Sequence, residues 1–338
     1  MLSENKLLRT YHHQPKLASM SSTIRGMLKK AIGLFVRLRP RVQHSINTGL
    51  TVFAFHEVSD SPSEFATKYG LFVTTKTFKN QIKWIKSNFE IIHPSMLLKG
   101  VPLPSRAAVI TFDDGYLGTF ENGLSILEEN SIPSIVFLNM GAVLTKTPLL
   151  SAIACYLDIY EPNFEIFCKQ RGLRRPFHLT LNPRLLEEYQ NCYGDINYSL
   201  VTQFQGAFVD LNVLQQWNAS SFVCFGNHLF EHWNAIALRP EELRSQYLDN
   251  EAALSGFANK VNMFAFTNGH PIICFDQRDV EILYSLGAGK IFSAAGGVNA
   301  NYNQFLLGRI SLCELDNDSA ALWFRIGRAV FHRKFSFT

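Results

Sequence analysis

Short apolar runs alternate with amphipathic stretches along most of this chain, and their order predicts its architecture. Strand-like runs rich in Val, Ile and Phe fall at Thr51–Phe55, Glu90–Ile92, Ala107–Phe112, Ser134–Leu138, Ser221–Phe225, Asn262–Phe266, Lys290–Ser293 and Leu306–Ser311. Helical spacing is expected at Thr77–Asn88, Leu117–Glu129, Pro240–Phe257 and Gln277–Leu286. Strands that alternate with helices predict an α/β fold of parallel strands, open or closed into a barrel. Residues 141–218 break the beat: they carry helix formers and aromatics with few strand signals. A mostly helical insertion after the fourth strand is expected there, shaping a substrate cleft.

The two ends differ from the body. Ile24, Met27, Leu28, Ala31, Ile32, Phe35 and Leu38 recur at three- and four-residue steps, with Arg25, Lys29, Lys30 and Arg37 pointing elsewhere, until Pro40. Two readings of this basic amphipathic helix over 24–39 stand: contact with an anionic membrane surface, or packing on the domain with its basic face in water. Leu322 to Phe337 interleaves Trp323, Phe324, Ile326, Val330, Phe331 and Phe335 with Arg325, Arg328, Arg333 and Lys334. A second interfacial helix or a terminal helix closing the fold is expected, and no nucleic-acid motif accompanies the basic residues. The expected division is a leader over 1–47, a main domain over 48–320 and a basic aromatic segment over 321–338.

Charge sharpens that division. The net +4 of the chain hides a leader of +8, with nine Lys or Arg against Glu4, and a body of −4. No apolar run is long enough to cross a bilayer, and no h-region with a small-residue cleavage site is visible near Met1. The six cysteines form no C-x-x-C pair and read as free thiols in a reducing compartment. A cytoplasmic location, peripheral at the inner face of the membrane, is therefore expected. His12-His13 in the polar first residues read as solvated tail.

The chemistry concentrates at strand ends. Ala107–Phe112 stops in Asp113-Asp114-Gly115, and buried carboxylates are costly unless something cationic meets them. The fifth strand candidate ends near Gly226-Asn227-His228, with His232 four positions on. Asp114, His228 and His232 make a facial N,N,O set for a divalent metal; zinc is the default, and nickel, cobalt or iron also suit such ligands. Asp113 would sit beside a water in the open position as general base; the rival reading makes it a helix cap. His56, Asp113, Asp114, His228, His232 and Asn268 all follow strands, as catalytic residues of a (β/α) barrel do.

These motifs resemble those of the polysaccharide deacetylases, the NodB-homology or carbohydrate esterase family 4 group. Thr111-Phe112-Asp113-Asp114-Gly115 followed by His228-x-x-x-His232 is similar to the family's first two motifs. Phe55-His56-Glu57-Val58 resembles the Tyr-His-x-Val stretch that opens many members, and Phe264-Ala265-Phe266-Thr267-Asn268-Gly269 a Phe-Ala-Tyr-Pro-Asn-Gly form of the third motif. Gly308-Arg309-Ile310 resembles the usual closing strand. The likeness spans roughly Leu50 to Leu312 and implies a distorted, incomplete (β/α) barrel of the NodB-homology type. It also implies a metal-dependent hydrolase that removes N-acetyl groups from an amino sugar of a poly- or oligosaccharide. A lipid-linked saccharide in bacterial surface-polysaccharide metabolism is the substrate that the basic leader suggests.

Some residues depart from the family pattern. Leu229 stands where a small hydroxyl residue is usual, Ala265 where many members place an arginine that holds the base, and Thr267 replaces a proline. No late Leu-x-His motif is present; His332 is its nearest echo, and His56 is the better-placed acid for the leaving amine. Tyr116, Asn268, Gly269 and Arg309 are the candidates for substrate contact, with Arg309 alternatively orienting a carboxylate or pairing with a surface acid. The rival functions are a deformylase or other amide hydrolase on an amino sugar, and a catalytically inactive saccharide-binding homologue.

Overall fold

All six residues of Ala107–Phe112 are buried, as a central parallel strand flanked on both faces requires. A computed structural model describes residues 31–172 and 184–331, and the strand anchors a ten-stranded sheet in it. In chain order the strands are β1 (Leu50–Phe55), β2 (Glu57–Val58), β3 (Phe72–Val73), β4 (Glu90–Ile91), β5 (Ala107–Phe112), β6 (Ser134–Leu138), β7 (Val223–Asn227), β8 (Lys260–Ala265), β9 (Lys290–Ser293), β10 (Val298–Asn299), β11 (Leu306–Gly308) and β12 (Ile310–Ser311). The order β1-β5-β6-β7-β8-β9-β11 is parallel throughout. β10 runs antiparallel along β1, and β2 pairs β3 in a small separate sheet.

The last expected strand is split in two, and the split closes the ring. Leu306–Gly308 pairs with β9, while Ile310–Ser311 pairs with β1 on the other side. Arg309 lies between the two pairings, its amide donating to the Ser293 carbonyl at 2.9 Å. The sheet is thus a distorted barrel whose seam falls at Arg309.

Alternation along the strands fills the interior. Val52, Val109, Ile135, Phe137, Met263, Ala265, Phe292 and Leu307 form one buried cluster, the layered packing of a barrel without a pore. The same period carries Thr111 and Asp113 inward above Val109, and Arg309 above Leu307. The outward faces, including Phe53, Phe55 and Phe112, pack under helices such as Thr75–Asn88. That helix starts where Thr74 accepts the Thr77 amide, and it sets Phe78 edge-on to Phe55 at 5.1 Å. Leu117–Glu129, expected as one α-helix, is a wide π-turn over Thr119–Leu124 followed by Ser125–Glu129.

Between β6 and β7 the described residues form helices at Met140–Thr145, Leu150–Tyr160, Pro162–Gln170, Arg184–Tyr193, Tyr198–Gln205 and Leu211–Trp217. Most share a cluster of their own around Phe164, Phe167, Tyr189 and Phe204. The stretch between the last two helices is tied to the site: Leu117 donates to the Ala207 carbonyl and Val209 to that of Gly115, both at 2.9 Å. At the amino end, residues 31–37 are helical. Pro40 ends that helix and opens another, Pro40–Thr48, sitting at the first position where its missing N–H costs nothing. Among the described residues no helix is long and apolar enough to cross a membrane. His12-His13, the leader turns from Ile24 to Lys30, and the end of the C-terminal segment, including His332, Arg333, Lys334 and Phe335, lie outside the described residues.

Candidate metal centre

Two loops at the carboxyl ends of neighbouring strands bring the chemistry together. After β5 the chain turns sharply: Asp114 adopts φ 74° and Gly115 φ 101°, so the two carboxylates face different ways. After β7, Leu229 adopts φ 65°, a left-handed conformation costing a leucine about 1–2 kcal/mol, and this turn brings His232 back beside His228. Asp114 Oδ1 lies 3.3 Å from His228 Nε2 and 3.2 Å from His232 Nε2. The three residues form the one cluster of candidate ligands among the described residues, all buried.

The donor set fits a cation. His228 Nδ1 lies 2.7 Å from the Ala265 carbonyl, which fixes the proton there and leaves Nε2 as a lone pair facing the carboxylate. Asp114 Oδ1 is buried with no hydrogen-bond partner, so neither imidazole contact has hydrogen-bond geometry. Electron-rich atoms held this close repel unless a positive charge lies between them. Ligands about 2.1 Å from one ion stand about 3.0–3.4 Å apart at octahedral to tetrahedral angles, and the observed separations fall in that range. Burial opposes charge on Asp114; without an ion, His232 first, and then His228 and His56, take over the cation's part and hold its carboxyl well below the usual range.

Asp113 faces the other way, into the barrel. Arg309 Nη1 donates to its Oδ1 at 2.6 Å and Nη2 to its Oδ2 at 2.7 Å, a bidentate fork between residues that are both almost wholly buried. The guanidinium also donates to Thr111 Oγ1 at 3.3 Å and lies over the Phe137 ring at 5.6 Å. Burial works against the Asp113 charge, but Arg309 and then His228 keep the carboxyl below its ordinary value. The helix-cap reading of Asp113 has no support, since the following turn has no side-chain cap.

Two of the expected substrate contacts, Arg309 and Tyr116, lie inside the fold. Arg309 has both ends of its fork on Asp113, the geometry of the carboxylate-orienting alternative. Tyr116 has no exposed surface; its ring packs against Phe208 at 4.7 Å, and its hydroxyl lies under the insertion. Asn268 is half-buried with φ 53°, and its Nδ2 donates to Asn234 Oδ1 at 3.0 Å. Gly269 must be glycine, because a Cβ there would meet the Ala294 amide at 2.8 Å. Thr267, at the usual proline position, bonds its hydroxyl to the Trp233 carbonyl, so the third motif is pinned to the turn that carries His232. His56 is half-buried after β1, near enough to Asp113 and Asp114 to help lower both carboxyls. Its carbonyl accepts from Thr119 Oγ1.

Sequence reasoning missed a buried amide network under the second ligand loop. Asn139 Nδ2 donates to the His228 carbonyl, and to that of Leu229 at 3.1 Å. Asn250 bridges the Leu138 carbonyl at 2.8 Å and Asn227 Oδ1 at 2.9 Å, and Asn227 in turn holds the Leu229 amide. All three asparagines are fully buried. Asparagines just after β6 and at the end of β7 were the available signal, since a buried amide is costly unless it finds hydrogen-bond partners.

No family model and no curated protein matches this chain. Solved structures do. IcaB from Ammonifex degensii superposes with a TM-score of 0.55 at 18% identity, covering 82% of this chain and 97% of that one. The Streptococcus pyogenes deacetylase PplD gives 0.53 at 12% identity, over 79% and 93% of the two chains. A de-N-acetylase from Aggregatibacter actinomycetemcomitans gives 0.53 at 14% identity, over 81% and 99%. Nearly the full length of each is matched. The chain has the fold of the polysaccharide deacetylases.

Proposed function

We propose that this protein is a metal-dependent hydrolase that removes N-acetyl groups from an amino sugar within a saccharide chain. The observation that carries the reading is the pairing of two adjacent carboxylates with opposite duties: Asp114 turned to two imidazoles, Asp113 turned to a buried arginine. A purely structural site would not need both.

Asp114, His228 and His232 would hold the divalent ion, with zinc the default for such ligands. When bound, the ion supplies a lowered water pKa and a polarised acyl carbonyl. Asp113 takes the proton of the attacking water; its ionised form is ready because Arg309 stabilises the anion. His56 hands a proton to the departing amine nitrogen, giving acetate and a free amino sugar. Arg309 fills the role left open by Ala265, which removes one of the motives for reading the chain as an inactive binding protein. Asn268 and Gly269 form the loop beside the ligands on which the saccharide would rest.

The test is acetate release from N-acetylated oligosaccharides by zinc-loaded protein, beside release of formate from N-formyl analogues. Acetate release abolished by Asp113→Asn, with metal retained, supports the reading. Preferential formate release moves the activity to a deformylase, and saccharide binding with no turnover of either substrate moves it to a lectin-like role.

A further inference from the structure

The helix over residues 31–37 packs on the C-terminal helix Ser319–Phe331 through small residues. A Cβ on Gly33 would lie 1.9 Å from the Ala320 carbonyl oxygen, and one on Gly327 would meet Val36 at 2.5 Å. With Gly33 and Val36 turned inward, the same helix leaves Leu34 58%, Phe35 57% and Leu38 77% exposed, and Phe331 stands 49% exposed beside them. Docking therefore accounts for one narrow stripe of this helix and leaves the other apolar residues outside.

The exposed apolar residues are ringed by cations. Arg39 stacks over Phe35 at 4.0 Å and Arg41 over Phe331 at 5.5 Å. Arg37, Lys86 and Arg106 line one adjoining hollow, with Glu90 the single acid at its edge. Among the described residues Arg37, Arg39, Arg41, Lys86 and Arg328 form no ion pair, unlike the paired arginines elsewhere on the surface. Unpaired cations interleaved with projecting Leu and Phe match a bilayer with anionic headgroups, where the apolar residues enter the acyl boundary. Nucleic acid would leave Leu34 and Leu38 without a partner, and a second copy would set these cations against each other.

The position of the patch gives it a direction. Arg106 immediately precedes β5 and Asp113 immediately follows it, so patch and site occupy opposite ends of the barrel. Seven residue steps along the extended chain separate them by about 23 Å. We infer that the patch formed by residues 31–41 with Lys86, Arg106, Arg328 and Phe331 docks the protein on an anionic membrane with its metal centre facing away from the bilayer. Docking stands on this geometry alone. Its corollary rests on the deacetylase reading: a saccharide anchored in the same membrane reaches the site only as a chain of several sugars, not through the sugar next to the lipid.

The experiment is co-sedimentation of the full chain with vesicles of phosphatidylcholine alone and of equimolar phosphatidylcholine and phosphatidylglycerol. Hydrogen exchange is then recorded with and without vesicles. Binding to the anionic vesicles only, weakened by salt, is expected, with protection at residues 31–41 and 326–331 and none at 226–234. Each basic residue at such a surface contributes about a factor of five, so the triple variant Arg37→Gln/Arg39→Gln/Arg41→Gln should lose about two orders of magnitude in affinity. Leu34→Ser/Leu38→Ser should bind more weakly, with hydrolysis of a soluble oligosaccharide unchanged. Equal sedimentation with both vesicle types, or with neither, overturns the docking. Protection at 226–234 overturns the orientation, and a patch-dependent dimer that ignores vesicles assigns the surface to a second copy. Loss of hydrolysis by the wild type, with vesicle binding intact, would count against the deacetylase reading alone.

Discussion

Arg309 and Asp113, 196 positions apart in the chain, meet in a two-pronged ion pair at 2.6 and 2.7 Å inside the barrel. The pairing exists because Arg309 occupies the seam where β11 ends on β9 and β12 begins on β1, directly across from the end of β5. Ring closure and the orientation of Asp113 are therefore one structural event.

Arg309→Met leaves a buried carboxylate without its cation. Loss of one partner of such a pair costs about 3–5 kcal/mol of stability. The base should also lose its ready ionisation, since burial alone raises a carboxyl pKa, so the acid limb of the rate profile should move to higher pH. Arg309→Lys should recover part of the rate but not the full profile, because a point charge cannot make the fork. Rate–pH curves and metal content, measured together, separate this role from a structural one, in which metal and rate would fall in step with no pH shift.

The metal-free protein should lose stability on the acid side. Asp113 and Asp114 both have folded pKa values below their unfolded ones. The stability they contribute is thus fully present above the ordinary carboxylate range and is lost as pH falls through the lower folded values. Thermal melts in chelator from neutral pH downward should stay level on this account until that range is entered, then fall. Arg309→Met should show a smaller acid-side loss attributable to Asp113. An acid slope in Arg309→Met as large as in wild type would remove this linkage.

His56→Gln should keep its metal and lose about a hundred- to ten-thousand-fold in turnover of N-acetyl substrates, the usual contribution of a general acid. Acetate esters of the same sugar, whose leaving oxygen needs less protonation, should suffer much less. Equal losses on amide and ester would assign His56 to positioning instead.

Much of the site was legible because its residues follow short buried strands. A strand that ends in Asp113-Asp114-Gly115 and another that ends near His228 announce themselves by the cost of burying charge. What the pattern could not carry was anything set by contacts distant in sequence. Ala265 read as a lost arginine because the arginine that meets Asp113 comes from the seam between β11 and β12, and Leu229 read as a departure because a left-handed turn is invisible in a hydrophobic pattern. The burial of Tyr116 was hidden for the same reason, since it depends on Phe208 within the insertion. The split of Leu306–Ser311 was hidden too, since both halves share one apolar run.

Asn139→Ala should test whether the buried amides hold the ligand loop. It strips the donor from the His228 and Leu229 carbonyls and should cost about 1–3 kcal/mol in stability. Zinc affinity should weaken about ten- to a hundred-fold, as for other groups that orient ligands without touching the metal. Titration with a competing chelator reads this directly; unchanged affinity in a folded variant would make the network purely structural.

Metal content per chain, by elemental analysis of wild type beside Asp114→Ala, is the most direct measurement. About one ion per chain is expected in the wild type and a small fraction of that in the variant, the outcome for a three-ligand site. Wild type that carries no metal and takes up no zinc on titration, or an Asp114→Ala variant that holds the ion as well, would contradict the metal centre and with it the proposed hydrolysis.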